Sequence, residues 1–316
     1  MKTIFNKQNN GGEELVKVLG MIDQDTTFSK WEPYVELSVR KLVSIIGLDV
    51  YDKALEIYNP KETDPQPSED EYEFIERMQQ CIALFTWVKV IPTLDAQHGN
   101  NGRQRRLGEN EKGLTALQEY KDEANILNMA YESVDALIAF MDKKAFEFWI
   151  NSPKKEAINK LLIKSKDEFD SYYIIGSHRL FLTLIPIIKE IQDRHIIPVI
   201  TRANYDLLIS EDKDTVDKLK DAVCRPLALL TIRQAILRLP VEILPDAIVQ
   251  VQQVGNIKER IKAEAEARRS VAEELEQSAK TDLSDLQDII IEMNSAEEEP
   301  DLYILKPTIN TKGVTF

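Results

Sequence analysis

Residues 70–90 of the chain read DEYEFIERMQQCIALFTWVKV, and this stretch decides the fold class. Its apolar residues recur every three or four positions, as one face of an α-helix requires. They are Phe74, Ile75, Met78, Ile82, Phe85 and Trp87. The spacing predicts a helix over residues 70–90 at the centre of a helical core.

The same order of elements recurs in the second half of the chain. Residues 83–86 read Ala-Leu-Phe-Thr, and residues 228–231 read Ala-Leu-Leu-Thr, 145 positions further on. An amphipathic helix, a short helix and an acidic loop precede each motif, and a long helix follows it. The sequence therefore predicts an internal duplication of about 145 to 150 residues.

Helical periodicity predicts the elements that flank the motifs at 83–86 and 228–231. In the first half, the predicted helices cover residues 29–46, 49–58, 70–90 and 111–150, the last with a kink near 140–145 and an end at Pro153. In the second half, they cover 171–194, 214–237 and 257–293, with a short extended piece and a helix over 195–209. Between the two sets, residues 143–155 (KKAFEFWINSPKK) are interpreted as the joint, and the aromatic residues as core.

One segment departs from helical periodicity. Residues 90–108 have a strand-like start, a Gly-Asn-Asn-Gly tip and a basic return, a pattern that predicts a β-hairpin or extended flap. The apolar segment 239–254 takes the same place in the second half. We therefore expect a mainly α fold with two tandem helical-bundle repeats, residues 1–152 and 153–296. Each repeat has a small β-hairpin or extended flap, and an extended C-terminal arm follows over 297–316.

Composition argues against several classes of protein. The chain has 40 Lys and Arg and 54 Asp and Glu, which gives a formal net charge of −14. This is the wrong sign for a protein whose main role is to bind the phosphate backbone of nucleic acid. The N-terminus has no apolar core of signal-peptide length, and no apolar run approaches membrane-span length, so we expect synthesis in the cytosol and no membrane partner. Cys81 and Cys224 lie in apolar helical stretches and are interpreted as buried free thiols.

Motifs for catalysis and for cofactors are missing from the sequence. The three histidines form no His-x-x-x-His pair, and the two cysteines form no Cys-x-x-Cys pair, so no metal site is expected. There is no phosphate-binding Gly-x-x-x-x-Gly-Lys loop, no Gly-x-Gly-x-x-Gly and no Gly-x-Ser-x-Gly. We therefore expect no enzyme activity, no catalytic residues and no cofactor.

Two exposed segments are candidates for protein contacts. The tip of the predicted hairpin places His98, Arg103, Arg105 and Arg106 together as a basic patch. This patch is a solvated loop tip, a contact for an acidic partner through arginine–carboxylate forks, or a weaker contact for DNA. Residues 271–301 hold eleven acidic residues and only Lys280 as a base, either as a solvated helix face or as the surface that meets the hairpin arginines of a neighbouring copy.

The C-terminal arm has its own apolar residues: Leu302, Tyr303, Ile304, Leu305, Val314 and Phe316. Such a tail has no partner within a helical repeat. It either hangs free or adds to another chain as a strand, and these six residues are the predicted contacts.

The first repeat resembles the adaptor proteins encoded in the head-tail gene blocks of Bacteroidetes phages and prophages. The similarity rests on a Trp31-x-Pro33-Tyr34 helix, an Ile-Ile-Gly turn at 45–47 and a Tyr-x-x-Ala-Leu-x-x-Tyr helix at 51–58. It extends to Asn-Glu-Lys at 110–112 and to Ala-Tyr and Asp-Ala-Leu at 130–131 and 135–137. The second repeat lacks the basic hairpin tip and the Ala-Tyr pair.

This resemblance implies a head-tail connector, a structural virion protein without an enzymatic step. It would form a ring, with about twelve copies as the usual number, between the portal protein and a tail or second ring protein. DNA would pass through the channel without specific binding, and the location would be the head-tail junction of a virion assembled in the host bacterial cytoplasm. The alternative is a cytosolic helical scaffold or regulator that binds one protein partner; an enzyme comes third.

Overall fold

The computed structural model describes most of the chain. The described residues are 2–5, 12–20, 22, 28–61, 65–94, 96–99, 102–105, 115–210, 213–239 and 257–297. Within these ranges the fold is mainly helical, as the periodicity predicts.

The elements follow one another in two sets. The first set is α1 (Gly12–Leu19), α2 (Phe28–Ile46), α3 (Leu48–Tyr58), α4 (Glu69–Leu94), β1 (Ala96–Gly99), β2 (Gly102–Arg105) and α5 (Ala116–Lys144). The second set is α6 (Glu147–Ile150), α7 (Pro153–Asn159), α8 (Lys166–Asp170), α9 (His178–Ile191), a π-helical turn (Gln192–Ile196), α10 (Ile197–Ser210), α11 (Lys213–Arg238) and α12 (Ile257–Glu297).

Helix α4 forms the centre of the first half, because it packs against both α2 and α5. Phe74, Met78, Ile82 and Phe85 are buried on it, which confirms the predicted apolar stripe. Thr86 is also fully buried, and its hydroxyl donates to the carbonyl oxygen of Ile82 at 2.7 Å. This bond satisfies a polar group that would otherwise be costly to bury.

Helix α11 forms the centre of the second half, between α9 and α12. Val223, Leu227 and Leu230 are buried on it. Thr231 is fully buried as well, and its hydroxyl donates to the carbonyl oxygen of Leu227 at 2.7 Å. Both central helices therefore hold a buried threonine by the same bond to the preceding turn.

In each half, side chains of the central helix and of a neighbouring helix anchor a non-helical segment. In the first half, the Tyr51 hydroxyl donates to the carbonyl oxygen of Lys2 at 2.9 Å, and Gln79 Nε2 donates to that of Ile4 at 2.8 Å. In the second half, the Tyr205 hydroxyl donates to the carbonyl oxygen of Lys160 at 2.9 Å. There Cys224 Sγ lies 3.9 Å from the carbonyl oxygen of Leu162, as a weak donor.

The two halves meet along α9, which contacts α2, α5 and α7. Its N-terminus is held by Asp135 of α5, whose Oδ1 accepts from the Arg179 backbone N–H at 2.6 Å and from the Ser177 hydroxyl at 3.1 Å. A carboxylate at this end of a helix also complements the helix dipole. The Arg179 guanidinium lies 4.0 Å from the ring centroid of Tyr131, a cation–π contact across the same joint.

Residues 145–152 connect the two halves through an aromatic cluster. Phe146 stacks on Phe148, with ring centroids 5.0 Å apart, and both contact Phe74 of α4. Trp149 is fully buried, and its Nε1 donates to Asp142 Oδ1 at 2.7 Å. The prediction that the aromatic residues serve the core is confirmed for these side chains and for Trp31, which stacks on Trp87 at 5.3 Å.

The helix predicted over 111–150 breaks within its predicted kink at 140–145, and its predicted end at Pro153 is wrong. Helix α5 stops at Lys144, where Ala145 adopts a left-handed backbone conformation with φ 51°. Pro153 does not end this helix but begins α7, a position where its missing N–H costs nothing. Ser152 caps α7 by accepting from the Lys155 N–H at 3.3 Å.

The boundaries predicted over 171–209 also require correction. Helix α9 begins only at His178, because Asp170 Oδ1 accepts from the N–H groups of Ile175 and Gly176 and holds the preceding residues in a turn. The extended piece predicted at the start of 195–209 is helical, since the π-helical turn leads directly into α10. Burial of Ile196 and Ile200 overrides the low helix propensity of this isoleucine-rich stretch.

The flap predicted over 90–108 begins later than predicted. Residues 90–94 belong to α4, because Val90 still packs in the core and the helix continues for two residues beyond Pro92. β1 and β2 pair as antiparallel strands with Ala96 opposite Arg105 and Gly99 opposite Gly102. Of the predicted segment 239–254, residues 240–254 lie outside the described residues.

Candidate interaction site

Most of the residues that the sequence predicts to make contacts lie outside the described residues, and for the others only the backbone is described. The backbones of His98 and Arg103 are paired across β1 and β2, and Arg105 pairs with Ala96, while the side chains of both strands lie outside what the structure describes. Arg106 and the arm residues lie outside the described residues altogether: Leu302, Tyr303, Ile304, Leu305, Val314 and Phe316. Their roles remain predictions.

Part of the acidic stretch of α12 is paired within the chain. Glu276 accepts from Lys280 at 3.1 Å and from Arg233 of α11 at 2.7 Å. These two cations lower the pKa of the Glu276 carboxyl. Glu276 therefore serves the packing of α11 on α12.

Further along α12, carboxylates border a cleft of about 520 Å³. Asp282 and Asp285 of α12 face Asp221 and Arg225 of α11 across it. Burial raises the pKa of Asp282, and Arg225 opposes that rise. Within this cleft, Arg225 supplies a counter-charge to the three carboxylates.

An apolar concave surface lies at the joint between the two halves, and we call it the joint groove. Its walls come from three parts of the chain: residues 46–50, residues 152–157 and the face of α9 at 182–186. Its volume is about 390 Å³, within the range of sites that bind small molecules or peptide side chains.

Exposed nonpolar side chains surround the joint groove. Leu48 is 50 % exposed, and Pro153, Ala157 and Pro186 are exposed beside it. Single exposed apolar residues are ordinary on protein surfaces, whereas these four border one concave surface together. Leu182, Ile185 and Ile46 form the buried floor.

Two charged residues line the same groove. Lys154 lies at the start of α7, and its Nζ donates to the carbonyl oxygen of Ser44 at 3.5 Å. Asp49 lies in the first turn of α3. The groove therefore offers an apolar floor with one cation and one anion, a combination that suits an apolar segment flanked by charges.

The backbone at Gly47 shapes the wall formed by residues 46–50. Gly47 has φ 99° and ψ 156°, a conformation that only glycine adopts without strain, and it lets α3 turn away from α2.

We expect Gly47→Ala to lower the free energy of unfolding by about 1–3 kcal/mol, because a Cβ makes this conformation costly. Chemical denaturation would measure the loss, with the exposed Ser44→Ala in α2 as the control. Equal stability of the two variants would contradict the expectation.

The joint groove could not be found from the sequence. The sequence does show the Ile-Ile-Gly turn at 45–47 and the Ser-Pro pair at 152–153 as local signals. What brings them together is the packing of α7 and α9 beside the start of α3, which no local pattern reports.

Among the described residues, no group of three or more His, Cys, Asp or Glu side chains is arranged to hold a metal ion. No helix in the described part of the chain is long and apolar enough to span a membrane. Cys81 and Cys224 are free and buried, as predicted, and burial raises the pKa of each thiol to about 12.

Comparison with known proteins gives a match to a protein family. Residues 42–159 match a family of unknown function, DUF6712. The matched segment runs from the second half of α2 to the end of α7, and so includes two of the three walls of the joint groove. No curated protein and no solved structure matches the chain.

Proposed function

We propose that this chain is a structural interaction protein that works in a multi-copy assembly, as a head-tail connector of a tailed phage. The observation that supports an interaction role is the joint groove, an open concave surface bordered by Leu48, Pro153, Ala157 and Pro186. Apolar surface of this kind is stabilised when another polypeptide covers it.

The connector class is supported by the resemblance of the first half to phage adaptor proteins. In the structure, the Trp31-x-Pro33-Tyr34 motif lies in α2, the Ile-Ile-Gly turn joins α2 to α3, and the Tyr51–Tyr58 motif forms most of α3. Tyr51 and Tyr58 are both buried. Most of the motif therefore consists of residues that build the first half and one wall of the groove.

The proposal includes a tandem duplication of one helical unit. Thr201 has φ 72° and ψ 160°, close to the values at Gly47, and like Gly47 it marks a sharp change of helix direction. Four residues after each, a tyrosine hydroxyl donates to the backbone carbonyl of a lysine, Lys2 for Tyr51 and Lys160 for Tyr205. An unusual backbone conformation at matching places in both halves is difficult to explain by chance, since non-glycine residues avoid it.

The central helices support the same correspondence. Helices α4 and α11 each have 26 residues, and the buried Thr86 and Thr231 make equivalent bonds. Gln79 and Cys224 occupy equivalent positions on them and face the carbonyl oxygens of Ile4 and Leu162. On this correspondence the second unit begins near Lys160, and residues 145–159 form the joint.

In the assembly we propose, the remaining predicted contacts belong to surfaces between chains. The hairpin residues His98, Arg103, Arg105 and Arg106 would meet an acidic protein surface, and the arm over 297–316 would reach the portal or a neighbouring copy. A ring of about twelve copies joined at many points gains a large effective concentration from weak single contacts. DNA would pass through the ring without specific binding, at the head-tail junction of the virion.

Size measurement of the purified full-length chain tests this function. We expect a particle of many copies in analytical ultracentrifugation, either alone or after mixing with the portal protein from the same gene block. A chain truncated after Ala296 should keep its helical circular dichroism and fail to join the particle. A full-length chain that stays monomeric or dimeric at all concentrations, with and without portal, would overturn the connector proposal and favour a scaffold or regulator.

A further inference from the structure

We propose that the joint groove of one copy binds residues 301–306 of the C-terminal arm of a second copy. This inference rests on the proposed function, because it names the contact by which neighbouring copies would be linked. It assigns the groove an occupant, and it assigns the apolar run Leu302–Tyr303–Ile304–Leu305 a place to bind.

The chemistry of the arm matches the chemistry of the groove. The arm reads Asp301, then four apolar residues, then Lys306. The groove has an apolar floor with Lys154 and Asp49 among its lining residues. An arm laid along this floor would bury its apolar side chains, and its one anion and one cation complement the one cation and one anion that line the groove. Charged groups at the rim of such a contact set register and direction more than affinity.

The groove is of a suitable size for this segment. In an extended segment, alternate side chains point to the same side, so two of the four apolar residues would enter the groove together. A volume of about 390 Å³ lies at the lower end of the range for ligand pockets and suits two aliphatic or aromatic side chains.

A second copy is proposed as the source of the arm, because a ring requires a contact between neighbouring chains. α12 packs on α11 and α10, whereas the groove is formed by residues 46–50, 152–157 and 182–186. α12 ends at Glu297, so at roughly 3.3 Å per residue Leu302 lies within about 17 Å of that end. The short reach ties the run to the neighbourhood of the end of α12, and a neighbouring copy can place that end beside the groove. Contacts of this type are head-to-tail, and they close into a ring when the rotation permits.

Disulfide trapping between full-length chains tests the occupant and its source. One chain has Ala157→Cys in the groove, and a second, differently tagged chain has Leu305→Cys in the arm. The native Cys81 and Cys224 are buried and do not compete for oxidation. The matched control replaces Ala157→Cys with Ala203→Cys, an exposed alanine of α10 away from the groove. We expect the mixed disulfide to form roughly tenfold more efficiently with Ala157→Cys than with Ala203→Cys, because binding raises the local thiol concentration.

A second pair of variants tests the exposed apolar border of the groove. Leu48→Glu places a carboxylate at the groove, whereas Leu37→Glu changes a leucine of α2 that is equally exposed, 49 % against 50 %. We expect Leu48→Glu to reduce the mixed disulfide to the level of the Ala203→Cys control and Leu37→Glu to leave it unchanged. Both variants should keep the melting temperature of the parent chain, since both sites are half exposed.

Three results would overturn this inference. The first is equal trapping at Ala157→Cys and Ala203→Cys, which would mean that the arm does not bind the groove. The second is a disulfide that forms only within a chain holding both cysteines, which would place the arm in its own groove. The third is trapping that survives Leu48→Glu. Many-copy particles that persist despite any of these results would leave the connector proposal standing, whereas a solitary chain would remove both.

Discussion

Replacing Trp149 with alanine is expected to lower the free energy of unfolding by about 3–5 kcal/mol. The indole is fully buried at the joint, where α6 contacts α3, α5 and α7. Truncation would leave a large cavity there and remove the hydrogen bond from Nε1 to Asp142. Asp142 also forms an ion pair with Lys155, whose Nζ lies 5.4 Å from the indole centroid. Asp142 and Lys155 would therefore both lose their contact with the indole.

Urea denaturation followed by far-ultraviolet circular dichroism measures this loss. The control is Ile150→Ala, because Ile150 is the next residue of the same short helix and is 46 % exposed. We expect the control to change stability by less than about 1 kcal/mol. Trp149→Phe should fall between the two, since it keeps an aromatic ring but not the N–H donor. Similar losses for Trp149→Ala and Ile150→Ala would show that the joint does not depend on the buried indole.

Replacing Gln192 with alanine is expected to cost roughly 2–4 kcal/mol, from an unpaired buried N–H together with lost volume. Gln192 is 2 % exposed at the start of the π-helical turn. Its Oε1 accepts from the Leu162 N–H at 2.9 Å, and its Nε2 donates to the Lys160 carbonyl oxygen at 3.2 Å. The Lys160 carbonyl would keep the Tyr205 hydroxyl, so the Leu162 N–H is the group left without its bond.

The matched control is Asp193→Ala, the next and exposed residue of the same turn. It should be within about 0.5 kcal/mol of the parent chain. Thermal unfolding and hydrogen exchange at the Leu162 amide report the loss globally and locally. If Leu162 kept its protection from exchange in Gln192→Ala, this amide would have another acceptor, and the proposed cause would be wrong.

The sequence predicts the long elements well and their connections poorly. The apolar spacing of Phe74, Met78, Ile82 and Phe85 is enough to locate α4 as a core helix, because a buried stripe must recur at the period of the helix. The end of α5 is different. It depends on the left-handed conformation of Ala145, which the sequence does not mark with glycine.

The polar anchors could not be predicted either, because each one joins residues distant in sequence. Gln192 looks like a surface residue in an Ile-Gln-Asp-Arg-His stretch, yet it binds a backbone segment thirty residues away. Tyr51 and Asp135 lay within motifs quoted for the family resemblance, and their hydrogen bonds to Lys2 and to the N-terminus of α9 became clear only from the folded chain.

The three-part construction of the joint groove has a mechanical consequence. One wall comes from the first half of the chain, one from the connecting segment and one from the second half, so any hinge motion between the halves changes the width of the groove. By thermodynamic reciprocity, an occupant that binds best at one width of the groove would restrain such motion, and a joint restrained at that width would bind the occupant more tightly. A free subunit would then be more pliable than an incorporated one, and each added subunit would present the next with a more rigid docking platform.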